Sequence, residues 1–144
     1  MNYYKGKFTP KNPNKYEGDP TQIYYRSSWE LRVMNWFDNN PNVIGWSSEE
    51  IVVPYRCGTD NKIHRYFPDF KIKVRTSNGS IKTYLIEVKP YGQTEPPKFP
   101  GKQTRRYITE SMTFIKNQSK WKAAEQYSKA MGWEFKIITE KDIF

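Results

Sequence analysis

The stretch YFPDFKIKVRTSNGSIKTYLIEVKP, residues 66–90, carries the residues whose types and spacing bear on chemistry. Asp69 follows Pro68 directly, and Glu87 and Lys89 stand two apart at the end of an apolar run. Side chains alternate along a strand with period two. Tyr84, Ile86 and Val88 therefore share one face, and Leu85, Glu87 and Lys89 the other. The preceding segment divides the same way, with Phe70, Ile72 and Val74 opposite Asp69, Lys71 and Lys73. Joining the two apolar faces in one core brings Asp69, Glu87 and Lys89 together. Asp69 starts one strand and Glu87 ends its antiparallel neighbour.

Two carboxylates brought close repel, and one takes up a proton unless a cation relieves them. Hard Mg²⁺ suits such a pair, because it prefers carboxylate oxygens, a backbone carbonyl and water. That ion polarises a phosphoryl oxygen and lowers the pKa of bound water. Lys89, on the same face, would stabilise developing negative charge or orient the water. In isolation, E-x-K on a strand reads as a surface ion pair. Pro68-Asp69 at the matching end of the neighbouring strand selects the metal reading. The sole histidine, His64, lies in a polar stretch and is read as incidental.

The elements that must position these groups are legible in outline. In YRSSWELRVMNWFDNNP, the spacing of Trp29, Val33, Trp36 and Phe37 predicts one face of a helix, with Ser27 as N-cap and Asn39-Asn40-Pro41 as its end. SEEIVVPY (48–55) reads as a strand and CGTDNKIHR as a polar loop. Residues 66–75 and 81–89 read as strands joined at Asn78-Gly79, a strong hairpin signal. After the proline-rich loop GQTEPPKFPGK, residues 103–131 read as a helix interrupted near Asn117-Gln118-Ser119. Gly132 is its stop, and WEFKIITE is a last strand with Trp133, Phe135 and Ile137 in the core. The order α-β-β-β-α-β is that of an α/β domain with helices on a central sheet. Residues 1–22, with Pro10, Pro13 and Pro20 and no apolar periodicity, read as an extended basic arm ahead of a single domain at 23–144. Its Tyr3, Tyr4 and Phe8 are expected to be exposed and open to a partner surface. Glu49 and Glu50, at a strand edge, are left outside the site.

Composition narrows the class. With 144 residues the chain suits one domain. A lone cysteine, Cys57, excludes an internal disulfide framework and a cysteine-built zinc site, and fits a reducing cytoplasmic setting. No apolar run approaches the ~18 residues of a membrane span, and MNYYKGKF lacks a signal-peptide core. The expectation is a soluble intracellular protein with no membrane partner. The net charge is +9, and residues 98–122 hold Lys98, Lys102, Arg105, Arg106, Lys116, Lys120 and Lys122 against Glu110 alone. Such clustering is the footprint of a polyanion, most often nucleic acid. Arg105, Arg106, Lys120 and Lys122, with Arg26 beside the first helix, are the candidate phosphate contacts. They would give salt-sensitive affinity without sequence specificity. Trp121 between them has the spacing of a core residue rather than a stacking platform.

Pro68-Asp69 followed by Glu87-Val88-Lys89, 18 residues from acid to acid, resembles the PD-(D/E)xK nuclease superfamily. The resemblance implies a restriction-endonuclease-like fold, a central mixed sheet flanked by helices. RSSWE is similar to the S-x-x-E element of phage junction-resolving and transposon-end endonucleases, which implies that Glu30 reaches the metal from the helix. Ser27-x-x-Glu30 is equally a capping box, and the two roles compete for one carboxylate. Over nearly the whole chain, YKGKFTPKNPNKYEGD, YRSSWE, SSEEIVVPY, YFPDF, EVKP, NQSKWKAA and GWEFKIITE resemble the head-completion nucleases of T-even-type bacteriophages. That resemblance implies a Mg²⁺-dependent DNA nuclease, with Mn²⁺ as substitute and no small-molecule cofactor. Its task would be to process packaged DNA so that a filled head joins a tail, in the infected host's cytoplasm or on the phage head, with portal or neck proteins as partners. The expected site is Asp69, Glu87 and the Val88 carbonyl on the metal, Glu30 assisting and Lys89 beside the water. Two other readings stay open: a DNA-binding adaptor that caps the filled head, and a junction-resolving or transposon-end-type endonuclease.

Overall fold

The computed structural model describes residues 5–143. Strand β1 (Gly6–Lys7) pairs antiparallel with β2 (Tyr24–Tyr25), and helix α1 (Ser28–Asn39) follows. Next come β3 (Val43–Ser48), β4 (Val53–Arg56), β5 (Ile63–Tyr66), β6 (Phe70–Arg75) and β7 (Ile81–Val88). A long helix α2 (Arg105–Met131), strand β8 (Glu134–Ile138) and a short helix α3 (Glu140–Ile143) complete the chain. The main sheet runs β3-β6-β7-β8, antiparallel except for the parallel pair β7–β8. With α1 before it and α2 ahead of β8, this is the expected α-β-β-β-α-β order around a mixed central sheet. No helix among the described residues is long and apolar enough to cross a membrane.

Each face of the sheet carries its own core. Phe70, Ile72, Ile86 and Val88 pack with Val33, Met34 and Phe37 of α1, and Trp46 of β3 lies against Phe37 at 5.6 Å between rings. On the other face Leu85 is fully buried with Trp121 and Ala124 of α2 and with Val53, Tyr55 and Tyr66. The alternation read from residues 70–88 is therefore correct, but both faces are covered. Trp121 is core, as its spacing suggested. Trp133, Phe135 and Ile137 pack half-buried at the edge of the second cluster.

Several expectations are corrected. The first sheet strand is β3 at 43–48, not 48–55; Gly45 in its middle dilutes the strand signal, and residues 49–52 form no strand. Part of the polar stretch 57–65 is strand: β4 and β5 make a separate antiparallel hairpin, Val53 opposite Tyr66. Residue 66 closes that hairpin instead of opening β6. Helix α2 is unbroken through 117–119, and Asn117 is buried. It stops where expected, at Gly132 in the left-handed conformation (φ 77°). On α1, Trp36 is 54% exposed. The buried stripe centres on Glu30, Val33, Met34 and Phe37, about a third of a turn away.

The largest correction concerns residues 1–22. Of these, 5–22 are packed onto the domain and are no free arm. Phe8 and Tyr16 are buried in the first core with Ile23, and Tyr16 meets Trp46 edge-on at 4.8 Å. The amides of Lys11 and Asn12 donate to the Asp38 carboxylate at 2.8 and 3.1 Å. Lys15 Nζ donates to the carbonyls of Phe37, Asp38 and Asn40 at 2.7–3.0 Å. Those are carbonyls at the end of α1 that have no intrahelical donor, and a cation there also suits the helix dipole. The anchors fall at irregular intervals, so no periodic pattern announces them. Tyr3 and Tyr4 lie outside the described residues.

Candidate active site

The β6–β7 hairpin builds the floor. Thr76 and Ser80 close its turn around Gly79, whose φ of 85° favours glycine. The register sets Phe70 opposite Ile86. One step further along, Asp69 stands beside Glu87, as the alternation required. Asp69 Oδ2 accepts from the Val88 amide at 2.8 Å. Glu87 Oε1 accepts from the Tyr66 hydroxyl at 2.7 Å, and Lys89 Nζ lies 3.9 Å from Glu87 Oε2. Both carboxylates are buried, so neither is a surface decoration.

Helix α1 contributes Glu30 through its own capping. Ser27 Oγ accepts from the Glu30 amide at 3.1 Å, which is half of a capping box. The reciprocal bond does not go to Ser27. Glu30 Oε1 accepts instead from the Arg26 amide at 3.3 Å, while Oε2 faces the Arg26 side chain at 3.9 Å. Glu30 thus holds the helix start and still lines the cavity shared by Asp69 and Glu87, about 390 Å³ in volume. Both of its oxygens face Arg26, one toward the amide and one toward the side chain.

Arg26 occupies a central place. Its Nη2 lies 3.2 Å from Asp69 Oδ1 and 3.0 Å from Glu49 Oε1. One guanidinium therefore neutralises part of a cluster of four acids. Burial raises the Glu30 carboxyl to about 7, with the Asp69 charge adding to it. Burial followed by Asp69 raises Glu87 to about 7. Asp69 is raised to about 6 by burial, against the pull of the Val88 amide and Arg26. Burial is the main cause in all three acids, with mutual repulsion adding to it at Glu30 and Glu87. The donors on offer are carboxylate oxygens, with no thiol or imidazole lining the cavity. That chemistry fits a hard divalent ion such as Mg²⁺.

Of the basic residues singled out in the sequence, Arg26 and Lys120 line this cavity. Lys120 lies over the Tyr66 ring at 5.6 Å, and burial lowers its pKa against the pull of Glu87. Arg105, Arg106 and Lys122 do not line it. Arg105 and Arg106 sit on the exposed first turn of α2, where Arg106 pairs with Glu110 at 2.7 Å. Four residues that line the cavity, Glu49, Arg65, Tyr66 and Phe67, were missed in the sequence. Glu49, set aside there, adopts a left-handed backbone (φ 54°) unusual for glutamate, and its amide donates to the Asp69 carbonyl at 3.1 Å. Tyr66 arrives from the end of β5, a strand with no legible sequence signal. Its neighbour Phe67, 40% exposed, stands at the cavity wall.

Comparison with known proteins bears on the family and the fold class. Residues 40–140 match the family described as TnsA-like endonuclease N terminal. The chain is also 42% identical over 141 residues to the head completion nuclease of Enterobacteria phage T4, covering 95% of this chain and 91% of that protein.

Proposed function

The chain belongs to the TnsA-like endonuclease N-terminal family, and on that premise we propose that it is a Mg²⁺-dependent deoxyribonuclease of the PD-(D/E)xK type. One observation carries the reading: Asp69 and Glu87, buried on adjacent strands, share a cavity with Lys89, Glu30 and Lys120.

Asp69, Glu87 and the Val88 carbonyl would hold the ion, with Glu30 assisting. When bound, it would polarise the scissile phosphate and make water acidic enough to attack. The protein's own groups do the rest. The Val88 amide fixes the Asp69 carboxylate, and the Tyr66 hydroxyl fixes Glu87. Burial raises the Tyr66 pKa far above neutrality, so it remains a donor. Lys89 sits beside Glu87, placed to stabilise charge developing on the phosphate or to orient the water. Lys120 and Arg26 contribute positive charge at the wall, where a DNA backbone enters. The exposed bases of α2 extend that field without reading sequence.

The relative in phage T4 is named for head completion. We extend that stage to this chain: action on packaged DNA in the infected host's cytoplasm or on the phage head, ahead of head–tail joining, with portal or neck proteins as neighbours. The test of the chemistry is plasmid nicking by the purified protein with Mg²⁺ and with Mn²⁺. Wild type should nick, and Glu87→Ala and Lys89→Ala should each lose on the order of a hundredfold or more. Equal nicking by all three, or none by any, overturns the catalytic assignment.

A further inference from the structure

Away from the carboxylate cavity, the tip of the β4–β5 hairpin brings three different donors together. The Cys57 sulfur, a carboxylate oxygen of Asp60 and a ring nitrogen of His64 all lie within 4.8 Å of one another, the one such group among the described residues. The backbone fixes this convergence. The Cys57 amide donates to the Lys62 carbonyl at 2.9 Å, and the Asn61 amide to the Cys57 carbonyl at 2.8 Å. Asn61 makes the tight turn with a left-handed φ of 57°. His64 stands directly opposite Tyr55 across the hairpin, so Tyr55, Cys57 and His64 share a face.

The donors are already oriented. Asp60 Oδ1 accepts from the Lys62 amide at 2.9 Å, which turns Oδ2 toward His64 Nε2 at 2.7 Å. Cys57 Sγ sits 3.0 Å from the Thr59 hydroxyl. Cys57 is 1% exposed, while the side chains of Asp60 and His64 are 39% and 40% exposed. The sulfur thus closes the inner side and the other two form the solvent-facing entrance.

We propose that Cys57, Asp60 and His64 form a second metal site, for a borderline-soft divalent ion of the Zn²⁺ class. One thiolate, one imidazole and one carboxylate are the ligand types and number of a three-ligand tetrahedral zinc site, with water in the fourth position. A lone cysteine is too few for an all-thiolate centre, but it suffices for this mixed set. Mg²⁺ is disfavoured by sulfur and imidazole, so the two sites differ in the metal they select. On loading, the Cys57 thiol proton leaves to solvent, and thiolate and carboxylate together balance the dication. With three protein ligands the site is open rather than a closed four-ligand structural centre, and its consequence falls on the hairpin that carries it. Gly58 donates to Ser119 Oγ on α2 at 3.1 Å, and a Cβ on Gly58 would lie 3.0 Å from Ile115, so the tip is seated against the helix. The same hairpin ends in Tyr66, the donor to Glu87. A metal at the tip stiffens the element that orients an acid of the other cavity.

The test uses the full chain, purified with reductant, stripped with chelator and titrated with Zn²⁺ and with Co²⁺. One equivalent of Zn²⁺ should bind and raise Tm, and bound Co²⁺ should show thiolate-to-metal charge transfer in its spectrum. Cys57→Ser and His64→Gln should each weaken Zn²⁺ binding about a hundredfold. Glu87→Gln should leave it unchanged, which separates this site from the carboxylate cavity. Should Cys57→Ser fail to fold, His64→Gln and the Co²⁺ spectrum decide. Absence of stoichiometric binding, a Co²⁺ spectrum without sulfur ligation, or wild-type affinity in His64→Gln overturns the proposal.

Discussion

The Tyr66 hydroxyl donates to Glu87 Oε1 at 2.7 Å, joining the end of the side hairpin to the central strand β7. Both partners are buried. Removing the hydroxyl leaves a carboxylate short of a donor, at a cost of about 1–3 kcal/mol for a buried group. Tyr66→Phe should also weaken divalent-metal binding roughly 10–100-fold, the usual effect of losing a bond that orients a ligand. Titration calorimetry with Mn²⁺ reads the second effect and urea denaturation the first. Unchanged metal affinity would show that Glu87 needs no such support.

If the acids hold a divalent cation as proposed, Arg26 would compete with it for them, since the guanidinium lies 3.0–3.9 Å from Glu30, Glu49 and Asp69. Arg26→Ala should therefore lower the Tm of the metal-free protein. The Tm gain on adding Mg²⁺ should be larger in the variant than in wild type. Differential scanning fluorimetry in EDTA and in Mg²⁺ makes the comparison. A smaller gain in the variant would mean that Arg26 helps to hold the ion rather than standing in for it.

Glu30 serves both the helix start and the cavity, and two substitutions separate these roles. Glu30→Gln keeps an oxygen for the Arg26 amide but removes the charge. Its nicking activity should fall by on the order of a hundredfold with Tm unchanged or raised. Ser27→Ala removes the cap on the Glu30 amide and should cost about 1 kcal/mol of stability. If Glu30→Gln were fully active, its carboxylate would be only a cap.

The raised carboxyls fix the sign of the pH dependence. Asp69 at about 6 and Glu30 and Glu87 at about 7 bind protons in the native state that the unfolded chain releases nearer pH 4. Native exceeds unfolded proton binding across that window, so their contribution to stability falls as pH rises from about 4 to about 7. In EDTA, Tm should be lower at pH 8 than at pH 5.5, and Glu87→Gln should flatten the difference. On the proposed reading Mg²⁺ would bind the ionised carboxylates, so saturating Mg²⁺ should shrink the difference, and nicking should rise with pH through about 7. A Tm that rises from pH 5.5 to pH 8 in EDTA, and is no flatter in Glu87→Gln, would contradict the burial of uncompensated acid.

Phe8 and Tyr16 anchor residues 5–22 in the first core. Phe8→Ala should cost about 3–5 kcal/mol, the range for deleting a buried phenylalanine. Deleting residues 1–22 should leave a chain that does not fold cooperatively, measurable by loss of a single unfolding transition. A stable truncated domain would restore the reading of these residues as a detachable arm.

The sequence by itself determined the hairpin and which of its charged groups share a face. A strand's period of two forces Glu87 and Lys89 onto one face, and Asn78-Gly79 fixes the turn that returns Asp69 beside Glu87. Those are local rules, so they survive into the fold unchanged, as do the Ser27 cap and the Gly132 stop. Tertiary structure decided the rest. Trp36 points outward because the surface of Trp46 and Phe70 selects another stripe of α1. Phe8, Tyr16 and Lys15 are anchored by partners 15–38 residues away, at spacings no periodic pattern marks. Tyr66 and Glu49 reach the cavity through a separate hairpin and a left-handed backbone, neither legible locally. Whether Glu30 caps or serves the site was likewise undecidable from S-x-x-E, because both roles use the same residues. The structure shows one carboxylate that accepts from the Arg26 amide, faces the Arg26 side chain and lines the cavity, and the Glu30→Gln comparison decides whether it also takes part in the chemistry.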